Sequence, residues 1–247
     1  MKKILSAVAI TALCATVANA EVSSGIVGYQ QISVPSGYSL FTVTFQNVTN
    51  SVYDIQDIKV LTSDGAAYTV NNKVKMQKVS TAGEYLTAYN YRLSKGGWCQ
   101  AATYVGEGVV TFADGEGVAL YNGEATSVLL QVSGAVNLTP VSTAIPATSY
   151  KIIGNPTPVT VDIQDVIPYL GEEICSANNR VKVQKVGTNG EYGTAYNWRQ
   201  SKGGWCQSAT FIGRDAVTLA PGEGLAVYNG EAGAVTLKFP NPIPAAE

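Results

Sequence analysis

An internal repeat constrains the fold of this chain more than any other feature of its sequence. Residues 71–125 align without gaps onto residues 178–232 at an offset of 107, with about 38 of the 55 positions identical. Upstream, Asp54-Ile55-Gln56-Asp57 recurs as Asp162-Ile163-Gln164-Asp165 at an offset of 108. A period of this length is that of a whole domain, not of a solenoid unit. The sequence therefore predicts two tandem modules, over residues 21–135 and 136–247.

Each copy has the residue pattern of β-strands. Short apolar or β-branched runs are bounded by Gly, Pro, Asn and Ser, and they cover Gln30–Val34, Leu40–Phe45, Val74–Gln77 and Val128–Val132. No window after the first 20 residues sustains a helical period. Asp114-Gly115 recurs as Pro221-Gly222, and both dipeptides form tight turns. We expect an all-β protein of two tandem β-sandwich-like or small-barrel modules related by the repeat.

The first 20 residues have the features of a signal peptide. Lys2 and Lys3 form a short basic region, residues 4–17 are almost all apolar, and Ala18-Asn19-Ala20 gives the small-residue pattern that signal peptidase reads. We expect cleavage after Ala20 and a secreted, periplasmic or cell-surface location. The mature chain has 14 basic and 18 acidic residues. It contains no apolar run of the roughly 18 residues that a membrane-spanning helix needs.

Composition excludes several classes of chemistry. The sequence has no histidine, so Ser-His-Asp and Cys-His catalytic sets and histidine-containing zinc sites cannot form. The net charge of −2 provides no basic patch of the kind that nucleic-acid-binding proteins use. We therefore expect no nucleic-acid partner, no cofactor and no metal site.

Three cysteines remain after the predicted cleavage. Cys99 and Cys206 occupy equivalent positions in the repeat, whereas Cys175 belongs to the second copy only. In an exported protein the simplest arrangement is a Cys175–Cys206 disulfide, which leaves Cys99 as a free thiol that is buried or links two chains. The alternative is a Cys99–Cys206 disulfide between the modules.

Carboxylates are the acid–base groups that remain. Glu116 with Glu124, and Glu223 with Glu231, recur in both copies, and glycoside hydrolysis needs two facing carboxyls about 5 to 9.5 Å apart. Their Gly-Glu-Gly and Asn-Gly-Glu surroundings are typical of turns. Calcium binding by Asp54, Asp57 and their copies is a further hypothesis, although residues i and i+3 of a strand point to opposite faces. We predict no catalytic residue and a non-enzymatic protein.

The aromatic residues form the strongest candidate binding set. Flat rings with polar edges stack on sugar faces, and a tandem pair of weak sites gains avidity. The alternative is that these rings fill the core of each module. Trp98 and Trp205, between Gly-Gly and Cys, are predicted core residues, whereas Tyr91 and Trp198 are the predicted exposed ligand-binding residues.

Two further elements carry a resemblance to a family. One is Val27-Gly28-Tyr29-Gln30-Gln31-Ile32 with Val34-Pro35-Ser36-Gly37-Tyr38-Ser39-Leu40-Phe41, and the other is Gly-Gly-Trp-Cys followed by Gly-Glu-Gly-x-Ala-x-Tyr-Asn-Gly. Together they resemble a group of secreted β-rich proteins of Verrucomicrobia, Lentisphaerae and Planctomycetes that has no established activity. The resemblance implies an exported β-protein of Gram-negative cells and assigns no catalytic residue. Residues 140–154 of the second copy lack the Gly-Tyr-Ser-Leu element.

These observations lead to two functional hypotheses. The duplicated module, the low charge and the abundance of Gly, Tyr and Thr favour a structural or adhesive component of the cell surface that assembles with itself. The alternative is a carbohydrate-binding protein that recognises surface glycans through exposed aromatic residues.

Overall fold

A computed structural model of the protein describes residues 27–46, 52–103, 110–136, 140–210 and 217–240. Its regular elements are β-strands of at most nine residues and 3₁₀ helices of three residues, which confirms the predicted all-β class. The predicted signal peptide lies outside the described residues. None of the described helices is long and apolar enough to cross a membrane.

The first half of the chain forms two antiparallel sheets and a short ribbon. Its strands are β1 Val27–Val34, β2 Gly37–Thr42, β3 Phe45–Gln46, β4 Tyr53–Asp54, β5 Lys59–Thr62, β6 Val74–Val79, β7 Tyr85–Arg92, β8 Gly97–Gln100, β9 Thr111–Phe112, β10 Gly117–Asn122 and β11 Val128–Val136, with 3₁₀ helices at Ile55–Asp57 and Leu93–Lys95. In what we call the outer sheet, β11 pairs with β1 along one edge and with β3 and β5 along the other. The inner sheet has the order β2-β10-β6-β7-β8, and β4 pairs with β9.

The second half repeats this arrangement. Its strands are β12 Ser142–Ile145, β13 Ser149–Gly154, β14 Val161–Asp162, β15 Ile167–Leu170, β16 Glu173–Ile174, β17 Val181–Val186, β18 Tyr192–Arg199, β19 Gly204–Gln207, β20 Thr218–Leu219, β21 Gly224–Asn229 and β22 Val235–Lys238, with 3₁₀ helices at Ile163–Asp165 and Gln200–Lys202. The outer sheet has the order β12-β22-β15-β16, and the inner sheet has the order β13-β21-β17-β18-β19. No described strand is shared between the sheets of the two halves.

A hydrophobic core lies between the outer and inner sheets of each half. In the first, Trp98 is fully buried among apolar side chains of both sheets, and Trp205 takes the same place in the second. Both tryptophans were predicted to be core residues, and this is confirmed.

The chain changes sheets where a single strand was expected. The apolar run Leu40–Phe45 predicted one strand, but β2 ends at Thr42 in the inner sheet and Phe45 begins β3 in the outer sheet. Phe41 and Phe45 both reach the same core, one from each sheet. The bend at residues 43–44 carries the chain from one sheet to the other, so Phe41 and Phe45 enter the core from opposite sides.

The two inner sheets contact each other across a third apolar cluster. Leu40 and Ala119 of the first half meet Ile152 of the second, and Val79, Val186 and Ala226 pack around them. Both faces of each inner sheet are therefore covered at this point, one by its own core and one by the other half.

The contacts between the halves are reciprocal. Residues that correspond in the repeat exchange equivalent backbone hydrogen bonds, as in a two-fold interface. The bonds run from Tyr38 N–H to Thr188 O (2.8 Å), Tyr150 N–H to Thr81 O (2.8 Å), Thr42 N–H to Gly222 O (2.9 Å) and Gly154 N–H to Gly115 O (3.2 Å). The edge strands β2 and β13 are thereby covered by turns of the opposite half.

Candidate functional site

The two aromatic residues predicted to be exposed are buried. Tyr91 is 8% exposed and Trp198 is 4% exposed, so this prediction is wrong. Each residue lies opposite a core tryptophan on the neighbouring strand, Tyr91 opposite Trp98 and Trp198 opposite Trp205. Directly opposed residues of an antiparallel pair share one face of the sheet, so both rings follow the tryptophans into the core, where the pairs meet edge to face at 5.4 and 5.6 Å.

The predicted Cys175–Cys206 disulfide is also wrong for this structure. All three described cysteines are buried free thiols. Cys175 lies in the second core with Trp205, but Cys206 follows Trp205 in β19, and alternation directs its side chain to the opposite face of the sheet. Burial raises the pKa of Cys175 to about 11, and the charge of Glu231 adds to this effect. Cys99, the predicted free thiol, is 1% exposed and does not reach the surface to link two chains.

A glutamine clamps each core tryptophan. The Gln56 amide donates to Trp98 O (2.7 Å) and accepts from Trp98 N–H (3.0 Å), while the indole of Trp98 donates to Ile58 O (2.9 Å). Gln164 and Trp205 make the same bonds in the second half. The clamp leaves no room for a side chain at Gly97, whose Cβ would lie 2.5 Å from Gln56 Oε1. The recurring Asp-Ile-Gln-Asp and Gly-Gly-Trp-Cys motifs are thus two parts of one structural element.

The candidate carboxylate pair is not brought together. Glu116 precedes β10, Glu124 follows it, and a strand of six residues spans about 20 Å. Glu116 accepts a hydrogen bond from Ala113 N–H (3.1 Å) and pairs with Lys78 (2.9 Å). Glu223 pairs with Lys185 in the same way at 2.6 Å. Glu116 and Glu223 therefore stabilise turns. Glu116 and Glu124 lie much farther apart than the two carboxyl groups of a glycosidase.

Glu124 belongs to a second structural cluster at the far end of β10. The buried Asn122 amide donates to Val34 O (3.1 Å) and Thr126 O (2.9 Å), and its oxygen accepts from Glu124 N–H (3.0 Å). The Tyr68 hydroxyl donates to the Glu124 carboxylate at 2.6 Å. Desolvation and this carboxylate both raise the pKa of Tyr68. The Tyr-Asn-Gly-Glu segment therefore holds the sandwich closed at this end.

The first aspartate of each repeated Asp-Ile-Gln-Asp motif caps a 3₁₀ helix. Asp54 Oδ1 accepts from Gln56 N–H and Asp162 Oδ1 accepts from Gln164 N–H, both at 2.9 Å. Among the residues that the structure describes, no three His, Cys, Asp or Glu side chains form a group that could hold a metal ion. The structure thus gives Asp54 and Asp162 a capping role.

Tyrosine rings, three exposed and three half-buried, are found instead beside the contact between the halves. We call this the tyrosine surface, and it consists of Tyr38, Tyr85, Tyr121, Tyr150, Tyr192 and Tyr228. Tyr38 contacts Tyr121 at a centroid distance of 4.8 Å, and their counterparts Tyr150 and Tyr228 lie 4.7 Å apart. Lys75 and Lys182 place ammonium groups 5.7 and 5.9 Å from the rings of Tyr121 and Tyr228.

Tyr85 and Tyr192 are the most accessible members of the tyrosine surface, at 50% and 53% exposure. They line one small depression together with Tyr150 and Lys151. Partial burial raises the pKa of Tyr85, and the neighbouring Tyr192 and Tyr38 contribute to the same shift, so rings from both halves lie close together. The surface offers flat rings and neutral hydroxyls that can donate or accept hydrogen bonds.

Two features were missed by the sequence predictions, although the sequence carries a signal for each. Gln56 and Gln164 recur between the aspartates of the Asp-Ile-Gln-Asp motif, and this recurrence is the signal for the clamp. The sequence signal for the contact between the halves is the pair of segments Val118-Ala119-Leu120 and Leu225-Ala226-Val227, which are apolar at every position. Continuous apolar runs are typical of strands covered on both faces.

The chain was compared with protein-family models, with curated proteins and with solved structures, and none of the three comparisons finds a match.

Proposed function

We propose that this protein is an exported, non-enzymatic structural or adhesive component of the bacterial cell surface. One observation carries the proposal: several polar residues that recur in both copies are engaged in holding the fold. Gln56 clamps a tryptophan, Asn122 closes the sandwich, Glu116 stabilises a turn, and their copies do the same. Duplication has therefore preserved a rigid scaffold, as expected of a protein whose task is mechanical or adhesive.

The test of this proposal is the location and retention of the protein in cells. With the full chain expressed in a Gram-negative host, we expect the mature protein in the envelope fraction, accessible to external protease and retained through salt washes. Substitution of Ala18 and Ala20 by large residues should block processing and prevent surface exposure. A protein that stays in the cytosol, or one recovered wholly in the medium, would contradict the proposal.

A second candidate function is carbohydrate binding, and the tyrosine surface favours it. Tyr91 and Trp198 are buried and cannot stack on a sugar, but Tyr85 and Tyr192 are half exposed and lie side by side. Aromatic stacking on a sugar face requires such accessible rings. In this form of the hypothesis both halves contribute one ring to a single binding surface.

A glycan array with the purified mature protein tests this second candidate. We expect binding to be lost in the double variant Tyr85→Ala/Tyr192→Ala and kept in Tyr29→Ala, which removes an equally exposed tyrosine (59%) on β1. Equal loss in both variants, or binding that survives the double variant, would count against a site at the tyrosine surface.

A further inference from the structure

Strand β1 differs from the other edge strands of the molecule. With eight residues, it is the longest strand at an edge of the described sheets. It pairs with β11 over its whole length without a bulge, and no other described strand pairs with it. An edge of this kind presents a row of backbone N–H and C=O groups that can accept another strand.

β1 also lacks the features that protect edge strands in soluble proteins. Its sequence, Val-Gly-Tyr-Gln-Gln-Ile-Ser-Val, contains no charged residue and no proline. Proteins usually protect long edges with lysines, prolines or bulges. The equivalent strand of the second half is protected, because β12 has only four residues and lies between Pro140 and Pro146.

The neighbouring edge strand is already covered by the protein itself. β2 continues from β1 after two residues, and its N–H groups at Tyr38 and Thr42 bond to turns of the second half. The same turns reach the inward-facing side chains of β1, since Gln30 donates to Pro221 O at 3.4 Å. The second half therefore contacts the core-facing side of β1. The exposed side chains of β1, Tyr29, Gln31 and Ser33, lie on the opposite, solvent-facing side.

We infer that β1 is a strand-pairing surface whose partner is β1 of a second copy of this chain. The inference rests on the proposed function, because it names the contact through which a surface component would assemble. Pairing two copies antiparallel would join their outer sheets into one continuous sheet in the order β11-β1-β1-β11. Such an interface is isologous, with the same residues contributed by each copy.

Side-chain alternation fixes the register of this pair. Opposed residues must lie on the same face of the joined sheet, so exposed residues oppose exposed residues. Centring the two-fold axis on Gln31 satisfies this rule and places Tyr29 opposite Ser33 of the other copy. Residues 28–34 of both copies then overlap, with about six backbone hydrogen bonds. At the centre, two neutral glutamine amides face each other, and each can both donate and accept.

The experiment introduces a charge at this central position. We expect the mature protein to dimerise reversibly in sedimentation velocity, and both Gln31→Lys and Gln31→Glu to raise the dissociation constant about tenfold or more, because like charges would oppose each other. An equimolar mixture of the two variants should recover dimers, since opposite charges then meet. The matched control is Ala144→Lys on the exposed face of β12, which should leave dimerisation unchanged.

A cysteine variant tests the register independently. Gln31→Cys should form a disulfide-linked dimer on mild oxidation, because the Cα atoms of opposed residues lie about 5.5 Å apart, within the range that a disulfide spans, and the native thiols are buried. Ala144→Cys should remain monomeric on the same gel. Circular dichroism and urea unfolding confirm that each variant folds, and Gln31→Arg or Gln31→Asp replaces a charged position-31 variant that does not.

Two results would overturn the inference. One is a mature protein that stays monomeric at every concentration measured. The other is a dimer that forms equally well in both charged variants and is not cross-linked through Gln31→Cys. A protein that is retained in the envelope but shows either result would leave the proposed function standing and remove only the β1 contact.

Discussion

At the scale of single residues, the repeat preserves side chains whose hydrogen bonds close the fold. Gln56 illustrates this, since one amide satisfies both the N–H and the C=O of Trp98. A buried backbone group without a partner costs about 1 to 3 kcal/mol. Substitution of Gln56 should therefore destabilise the protein even though this side chain is only half-buried.

We predict that Gln56→Ala lowers the free energy of unfolding by about 1 to 3 kcal/mol, because it leaves two backbone groups of Trp98 without partners. Gln164→Ala should have a similar effect through Trp205. Urea unfolding followed by tryptophan fluorescence measures the loss. The control is Gln200→Ala, an exposed position occupied by Leu93 in the other copy, where a change within about 0.5 kcal/mol is expected. Equal effects at all three positions would show that the clamp contributes nothing specific.

A second residue-scale prediction concerns the thiols. Because Cys99, Cys175 and Cys206 are buried and free, a thiol reagent at pH 8 should label none of them in the native mature protein and all three in denaturant. The pKa of about 11 at Cys175 further keeps the reactive thiolate scarce. Because burial raises the pKa of Cys175, the folded state favours the protonated thiol. This preference contributes fully to stability below the unfolded pKa of about 9, and the contribution is lost as the pH rises towards 11. A single labelled thiol in denaturant without reductant would instead indicate a disulfide.

At the scale of elements, each half joins its outer and inner sheets through short irregular segments. The 3₁₀ helix at Ile55–Asp57 begins at the Asp54 cap, buries Ile55 in the core and presents Gln56 to Trp98. One short helix thus connects strand pairing to core packing. Loss of the Asp54 cap should therefore also weaken the hydrogen bonds between Gln56 and Trp98.

We predict that Asp54→Ala destabilises the protein by about 0.5 to 2 kcal/mol through loss of the cap, whereas Asp54→Asn has little effect, because asparagine caps equally well. Thermal unfolding of the two variants, with and without added calcium, checks this. A calcium-dependent rise in Tm that is abolished in Asp54→Asn would show that the aspartate is a metal ligand, contrary to its capping role.

At the scale of the whole molecule, the halves behave as an internal two-fold pair. Their inner sheets contact each other where β2 and β10 face β13 and β21. Gly224 lies there, and a Cβ on this residue would be 2.7 Å from Leu40 Cβ and 3.0 Å from Phe41 N. The backbone conformation of Gly224 is one that other residues can also adopt. A glycine is therefore required at this position by the close approach of the two halves.

We therefore predict that Gly224→Val separates the halves and lowers stability by about 1 to 3 kcal/mol, as overpacking does in a core. Small-angle scattering should show a larger radius of gyration, and urea unfolding an earlier midpoint. Gly193→Val serves as the control, because its nearest neighbour is Lys185 O at 3.4 Å and the other copy has Leu86 at this position. Unchanged scattering for Gly224→Val would contradict the interface described here.

Much of the fold could be predicted from local patterns. The runs at Val74–Gln77 and Val128–Val132 lie within β6 and β11, and the tryptophans after Gly-Gly are core residues, because strand alternation and turn residues act over a few positions. The exposure of Tyr91 could not be predicted in the same way. It depends on Trp98 being its cross-strand neighbour, and this pairing is set by register between strands.

The amino-acid sequence is sufficient to predict an all-β protein in which one unit occurs twice, and it contains no histidine for catalysis or metal binding. These properties follow from composition, local periodicity and the repeat. Which faces of the strands are covered depends on the tertiary packing. It buries Tyr91 and Trp198, separates Cys175 from Cys206 across a sheet, and brings tyrosines of both halves onto one surface. The physical reason is that burial and proximity depend on strand register and sheet packing, which join residues far apart in the chain.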